Sequence, residues 1–165
     1  TVDSSPTPWD LTLVDTGLQT SQSQITAYLE LTYGITDELY KVGPEEAESG
    51  MFAGSYQTVF TNTPTDPSDA TIEWVGPDIV TDPGYLLVKD GKATPAWYLF
   101  DLSEWNGEDT LSLTDFWPGS ETGAISHVTI YGAPTPIPEP ASLAVWSALG
   151  VIFGIGLYRR RRGQR

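Results

Sequence analysis

The sequence predicts an all-β fold, a β-sandwich of jelly-roll or immunoglobulin-like kind, carrying one C-terminal transmembrane helix. Three observations predict it. Apolar and polar residues tend to alternate with a period of two through most of residues 1–132, the mark of half-buried strands. Sixteen glycines and thirteen prolines cut the chain into short pieces. Near the end an uncharged apolar run, Ala141 to Tyr158, stops at Arg159-Arg160-Arg161-Arg162.

Taken in order, the alternation predicts strands at Trp9–Val14, Gln24–Tyr33, Ser55–Phe60 and Ala70–Val75. Thr36–Tyr40 is the best candidate for a helix outside the membrane and reads equally well as a turn, and Pro44–Gly50 reads as a charged loop or a short helical turn. Thr61–Asp69, with Pro64 and Pro67, reads as an exposed connection. Two dipeptides suit the type I′ turn, whose central residues need positive φ. Asp90-Gly91 joins Tyr85–Lys89 to Lys92–Phe100, and Asn106-Gly107 joins Leu102–Trp105 to Thr110–Leu113, so two antiparallel hairpins are expected. A last strand, Ala124–Tyr131, should place Val128 and Ile130 on one face and Ile125, His127, Thr129 and Tyr131 on the other. About nine strands make one domain, residues 1–132. Pro134, Pro136 and Pro138 then recur at every second position, and residues 133–137 read as an extended, polyproline-like stalk.

The tail reads as a membrane anchor. Eighteen residues of helix span about 27 Å, near the lower limit for a bilayer core of about 30 Å. The arginines of 159–165 should hold the C-terminus in the cytoplasm and leave everything before the helix outside. That topology requires a cleaved leader ahead of Thr1. Taken together, Pro138-Glu139-Pro140, the helix 141–158 and the terminal arginine cluster resemble the PEP-CTERM sorting signal of exported proteins of Gram-negative bacteria. The resemblance implies that residues 138–165 are read by exosortase, an integral membrane protease-transpeptidase, with this chain as its substrate. It implies anchoring in the inner membrane before processing, and then the cell surface or extracellular matrix. Any stop-transfer helix shares the same apolar length and basic flank, so a plain single-pass anchor stays open beside it. Lys89-Asp90-Gly91, Ala96–Leu102, Trp105-Asn106-Gly107, Phe116-Trp117-Pro118 and Ile125–Gly132 are also similar to a segment common in that family. Its members are associated with biofilm matrix and exopolysaccharide, and the resemblance assigns no catalytic residue.

Charge divides the chain in the same way. Residues 1–138 hold 21 acidic residues against Lys41, Lys89 and Lys92, about −18, while the remainder is about +4. Such a domain repels phosphate backbones and anionic headgroups, so nucleic acid is not an expected partner. There is no cysteine, and a core of this size holds without disulfides.

Catalysis is not expected. Ser-His-Asp chemistry needs a histidine, and the chain has one, His127, on a strand beside Ser126. Zinc usually draws on several histidines or cysteines. Paired carboxylates able to hydrolyse a glycoside are a remote alternative, because 21 acids will pair somewhere by chance. The nearer alternative is a surface carbohydrate-binding module. Trp105 and Trp117 each lie beside a turn, where an indole face could meet a sugar ring; the other tryptophans are expected in the core. A smaller expectation concerns calcium, with Asp101, Asn106, Glu108 and Asp109 around one turn and Asp78 with Asp82 at another. The sequence thus points to an exported, noncatalytic surface or matrix protein without cofactor.

Overall fold

The computed structural model describes residues 11–61, 67–81, 84–90, 92–114, 116–117 and 123–132. The expectations for Trp9, residues 62–66, Asp82, Gly91, Pro118, the 133–137 stalk and the whole 138–165 signal lie outside the described residues. Among the described residues no helix is long and apolar enough to cross a membrane.

Among the described residues nine elements follow one another: β1 (Thr12–Gly17), α1 (Gln22–Tyr33), β2 (Glu38–Val42), β3 (Tyr56–Phe60), β4 (Ala70–Trp74), β5 (Gly84–Lys89), β6 (Trp97–Asp101), β7 (Leu111–Leu113) and β8 (His127–Gly132). The chain is mostly β. Five strands form one antiparallel sheet in the order β1-β6-β5-β8-β2, and three form another, β3-β4-β7.

Alternation along the central strands of the large sheet sorts its side chains into two faces. Leu86, Val88, Phe100, Val128 and Ile130 enter one buried cluster together with Tyr56, Ile72, Leu111 and Leu113 from the small sheet. Leu87, Trp97, Leu99 and Tyr131 enter a second cluster with Ile25 and Leu29 of α1. The large sheet is therefore covered on both faces, by the small sheet on one and by a helix on the other. Val128, Ile130 and the β8 residues His127, Thr129 and Tyr131 take the faces that the sequence predicts. Ile125 does not: it precedes the strand and joins the sheet-to-sheet cluster.

The largest correction is α1, because residues 24–33 are helix and not strand. Ser21 caps its start, its hydroxyl accepting from the Gln24 N–H. Gly34, with φ of 70°, ends it and donates its N–H to the Glu30 carbonyl. Ile25 and Leu29, four apart, are fully buried, while Leu31, on the apolar face of the expected strand, is 88 % exposed. Thr36–Tyr40 is corrected in the opposite sense. Its second half belongs to β2, where a register shift between Glu38 and Tyr40 sends the consecutive Leu39 and Tyr40 into the same core. The segment Pro44–Gly50 is a loop that returns along β2, with paired backbone bonds of 2.9 Å between Lys41 and Ser49 covering that strand's outer edge.

Both turn dipeptides need correction too. Strands β5 and β6 do pair as a hairpin, but Lys89 faces Trp97, so the connection runs from Asp90 to Ala96 and is no two-residue turn. Asp90 organises it, accepting the Lys92 N–H on one oxygen and the Ala124 N–H on the other. Asn106-Gly107 does not close a hairpin. The chain leaves the large sheet at Asp101 and pairs next with β4 in the small sheet, so this turn crosses between sheets. Gly107 has φ of 81°, and a Cβ there would collide with Ile79 and the Val80 carbonyl.

Candidate functional site

The carbohydrate-module alternative needs the indole faces of Trp105 and Trp117 at the surface, and both side chains are buried. Trp105 is 8 % exposed, packs on Tyr56 with centroids 5.8 Å apart, and donates its Nε1–H to the Asp109 carbonyl at 2.8 Å. Trp117 is 5 % exposed, lies against Tyr98 and Phe116, and donates to the Pro95 carbonyl at 2.6 Å. Its backbone has φ of 53°, an uncommon setting for a residue with a Cβ, held by the aromatic packing around it.

The acidic turn does not converge on a cation. The Asp101 Oδ1 accepts the Ser103 N–H at 2.8 Å, and the Asn106 Oδ1 accepts both the Glu108 and Asp109 N–H groups at 2.9 and 2.8 Å. These oxygens fold the turn back on itself. Among the described residues, no group of three or more His, Cys, Asp or Glu side chains comes together as a metal site. Asp78 exchanges hydrogen bonds with Ser55: its Oδ2 accepts from the hydroxyl and its N–H donates to it.

His127 stands on the helix-side face of β8. Its Nε2 lies 2.8 Å from the Gln22 Oε1, so Nε2 carries the proton and Gln22 accepts it. The same Gln22 side chain donates its N–H to the Tyr131 hydroxyl at 3.1 Å. Burial first, then the charges of Lys89 and Lys41, push the imidazole down to about 3, so the ring is neutral at physiological pH. The neighbouring Ser126 hydroxyl donates to the Lys89 and Asp90 carbonyls at 3.0 and 3.1 Å. The Ser126 Oγ also lies 3.5 Å from the His127 Nδ1, the outer limit of a hydrogen bond, while its shorter contacts are to the two carbonyls, so the imidazole does not hold this hydroxyl as the base of an activated serine would.

What gathers around His127 is positive charge. Register sets Lys89 directly across from His127, and Lys41 directly across from Thr129, on the three adjacent strands β5, β8 and β2. Lys89 is 7 % exposed, and its Nζ donates to the Asp90 carbonyl at 3.1 Å. Burial lowers its pKa, the Asp90 charge opposes that, and Lys41 adds to it. Thr129 is fully buried, and its Oγ1 makes no hydrogen bond. The first turn of α1 lies over the same strand, tied there by Gln22. Charge counting alone singles out the lysines, since residues 1–132 contain three and no arginine. Their convergence was hidden because the residues bringing Gln22 over β8 read as the approach to a strand.

At the far side of the same face, Asp15 ties α1 to the edge strand β1. Its Oδ2 accepts from the Tyr28 and Tyr33 hydroxyls at 2.7 and 2.8 Å, and its Oδ1 accepts the Thr16 N–H at 2.8 Å. Burial raises the carboxyl pKa, and these three bonds outweigh it to leave a net lowering. Burial and the Asp15 bond push Tyr33 up to about 12. A separate shallow recess of about 300 Å³ opens between Pro44–Glu46, Pro67 and Ala124–Ser126.

In comparisons with known proteins, no family model, no curated protein and no solved structure matches this chain.

Proposed function

We propose that this chain is an exported, noncatalytic surface or extracellular-matrix protein, associated with exopolysaccharide and delivered by a PEP-CTERM signal at residues 138–165. The ectodomain, in this reading, is a β-sandwich of jelly-roll or immunoglobulin-like kind with an added helix on one face. The observation that carries the reading is the order of the tail: Pro138-Glu139-Pro140, then the uncharged run 141–158, then Arg159–Arg162. The tripeptide alone would be weak evidence, but together with the apolar run and the arginines in this order it resembles the PEP-CTERM signal. The fold supports the reading in kind. Two antiparallel sheets share a buried core rich in aromatic side chains, the sort of domain that stays folded without disulfides once outside the cell. The sole histidine, bonded to an amide and neutral, also supports a noncatalytic role. Burial of Trp105 and Trp117 weighs against the carbohydrate-module alternative as framed on those two rings.

The test is the mass of the intact protein and its C-terminal peptide from its native cells, in membrane and released fractions, with and without exosortase. Loss of everything beyond about residue 140 in the wild type, with retention in the exosortase mutant, is the expected result. An intact Arg165 in both strains would make the helix an ordinary anchor.

A further inference from the structure

The turn at Asn106-Gly107, where the chain crosses between sheets, holds a reactive pair in order. An asparagine carboxamide is open to attack at Cγ by the backbone nitrogen of the next residue, which closes a five-membered ring, and glycine brings that nitrogen without a side chain in the way. Two observations go beyond the dipeptide. The Asn106 Oδ1 accepts the N–H groups of Glu108 at 2.9 Å and Asp109 at 2.8 Å, so two donors already face the oxygen on which negative charge builds during attack. Those are the distances of an oxyanion hole. The Gly107 N–H, by contrast, donates to no backbone acceptor among the described residues, while the Gly107 carbonyl is held by the Tyr56 hydroxyl at 2.9 Å. The electrophile is polarised and the nucleophile is unoccupied. Asn106 is exposed, so water reaches its side chain. The bond from the Trp105 Nε1–H to the Asp109 carbonyl at 2.8 Å closes the same turn from behind.

We propose that Asn106 is a self-modification site, an asparagine that the folded turn converts to aspartate and isoaspartate. The Gly107 nitrogen gives its proton to water and bonds to the Asn106 Cγ, and the charge on Oδ1 rests on the two N–H groups. Cγ then expels the side-chain nitrogen as ammonia, with a proton from water, and a succinimide ring remains. A further water opens the ring. Breaking the bond from nitrogen to Cγ leaves aspartate, and breaking the bond from nitrogen to the main-chain carbon leaves isoaspartate. One carboxamide and one water become one carboxylate and one ammonium, and nothing is oxidised or reduced. The carboxylates of Glu104, Glu108 and Asp109 are exposed and act on the developing charge through solvent, so the short N–H contacts decide. Aspartate at this position keeps an acceptor for both N–H groups. Isoaspartate adds a carbon to the main chain beside a residue with no room to shift, since a Cβ on Gly107 would collide with Ile79 and the Val80 carbonyl. The inference is independent of how the chain is exported.

The folded state should speed this reaction, whereas a turn that is merely rigid would slow it. The full chain in uncharged detergent micelles is held at neutral pH, natively and in guanidinium chloride, and the peptide containing residue 106 is followed by mass and isoaspartate content. The expected native rate is about tenfold above the denatured one, the equivalent of one hydrogen bond to the oxyanion. Two variants separate the donors from the neighbouring charge. Glu108→Pro removes one of the two N–H groups, and Glu108→Ala keeps it while removing the carboxylate; each is scored against its own denatured rate. The acceleration should fall in Glu108→Pro and persist in Glu108→Ala. A native rate at or below the denatured rate overturns the proposal, as does full acceleration in Glu108→Pro or its loss in Glu108→Ala. If Glu108→Pro does not fold, the wild-type comparison and Glu108→Ala decide alone.

Discussion

The two faces of the five-stranded sheet are built differently. Toward the small sheet, Leu86, Val88, Phe100, Val128 and Ile130 meet other apolar side chains in one continuous core. Toward α1, an apolar centre of Leu87, Leu99, Trp97, Ile25 and Leu29 is flanked by polar groups. Asp15 with its two tyrosines lies at one end, and Gln22, His127, Lys89 and Thr129 at the other. The difference teaches where stability and specificity come from. Burial between sheets is non-directional and large, roughly 1.5–3 kcal/mol per large side chain, whereas the helix is located by a few directional bonds worth about 1 kcal/mol each. The sheet-to-sheet face is scaffold, and the helix-side face, with its few directional bonds and its buried His127, is where a change of pH can be felt.

Substitutions can break that contrast, and the largest effect belongs to the sheet-to-sheet core. Phe100→Ala removes a ring that contacts Tyr98 and Phe116 and has no exposed surface. It should cost about 3–5 kcal/mol in a denaturant melt. Next is Tyr56→Phe. The Tyr56 hydroxyl accepts the Val80 N–H and donates to the Gly107 carbonyl, both at 2.9 Å, so its loss strands two buried backbone groups. A loss of about 1–3 kcal/mol is expected, with volume nearly unchanged. On the helix side Asp15→Asn should cost less, about 1 kcal/mol, because the carboxylate is partly exposed and solvent replaces part of each bond. Its effect should concentrate in α1.

The smallest effect at neutral pH comes from His127 and sharpens the contrast through pH. The folded ring titrates at about 3 and the unfolded one near 6.5. Between those values the unfolded chain binds a proton that the native state refuses. Stability therefore falls as pH drops from 6.5 toward 3 and is complete above 6.5. In His127→Leu the slope of stability against pH should flatten between 6.5 and 5, above the range in which carboxylates protonate. An unchanged slope would mean that the ring charges freely in the fold.

The scaffold was more legible than the helix side for the same physical reason. Strands β3, β4, β5 and β8 are regular, and two-residue alternation identifies them along with the faces of Val128 and Ile130. In α1, Ile25, Ala27, Leu29 and Leu31 imitate a strand, and Leu31 sits fully in solvent. The corrective signal was present in Ser21-Gln22-Ser23-Gln24, which has capping-box spacing, and in Gly34 as a left-handed cap. Strand β2 resisted reading because its register shift puts Leu39 and Tyr40 on one side. Asn106-Gly107 correctly announced a turn, but a turn dipeptide fixes a local reversal and says nothing of which sheet receives the next strand. The candidate site was the least legible part. Its lysines are 48 residues apart in the chain and meet only through the register of β2, β8 and β5.

Hydrogen exchange tests most directly the claim that the two faces of this sheet do different work. Amide protection in the full chain is compared between wild type and Asp15→Asn across α1, β4 and β5. The expected result is that α1 opens at lower free energy than β4 and β5 in the wild type, and that Asp15→Asn lowers protection in α1 while leaving the strands unchanged. Equal loss of protection in helix and strands would contradict the account and make the helix part of the same cooperative core.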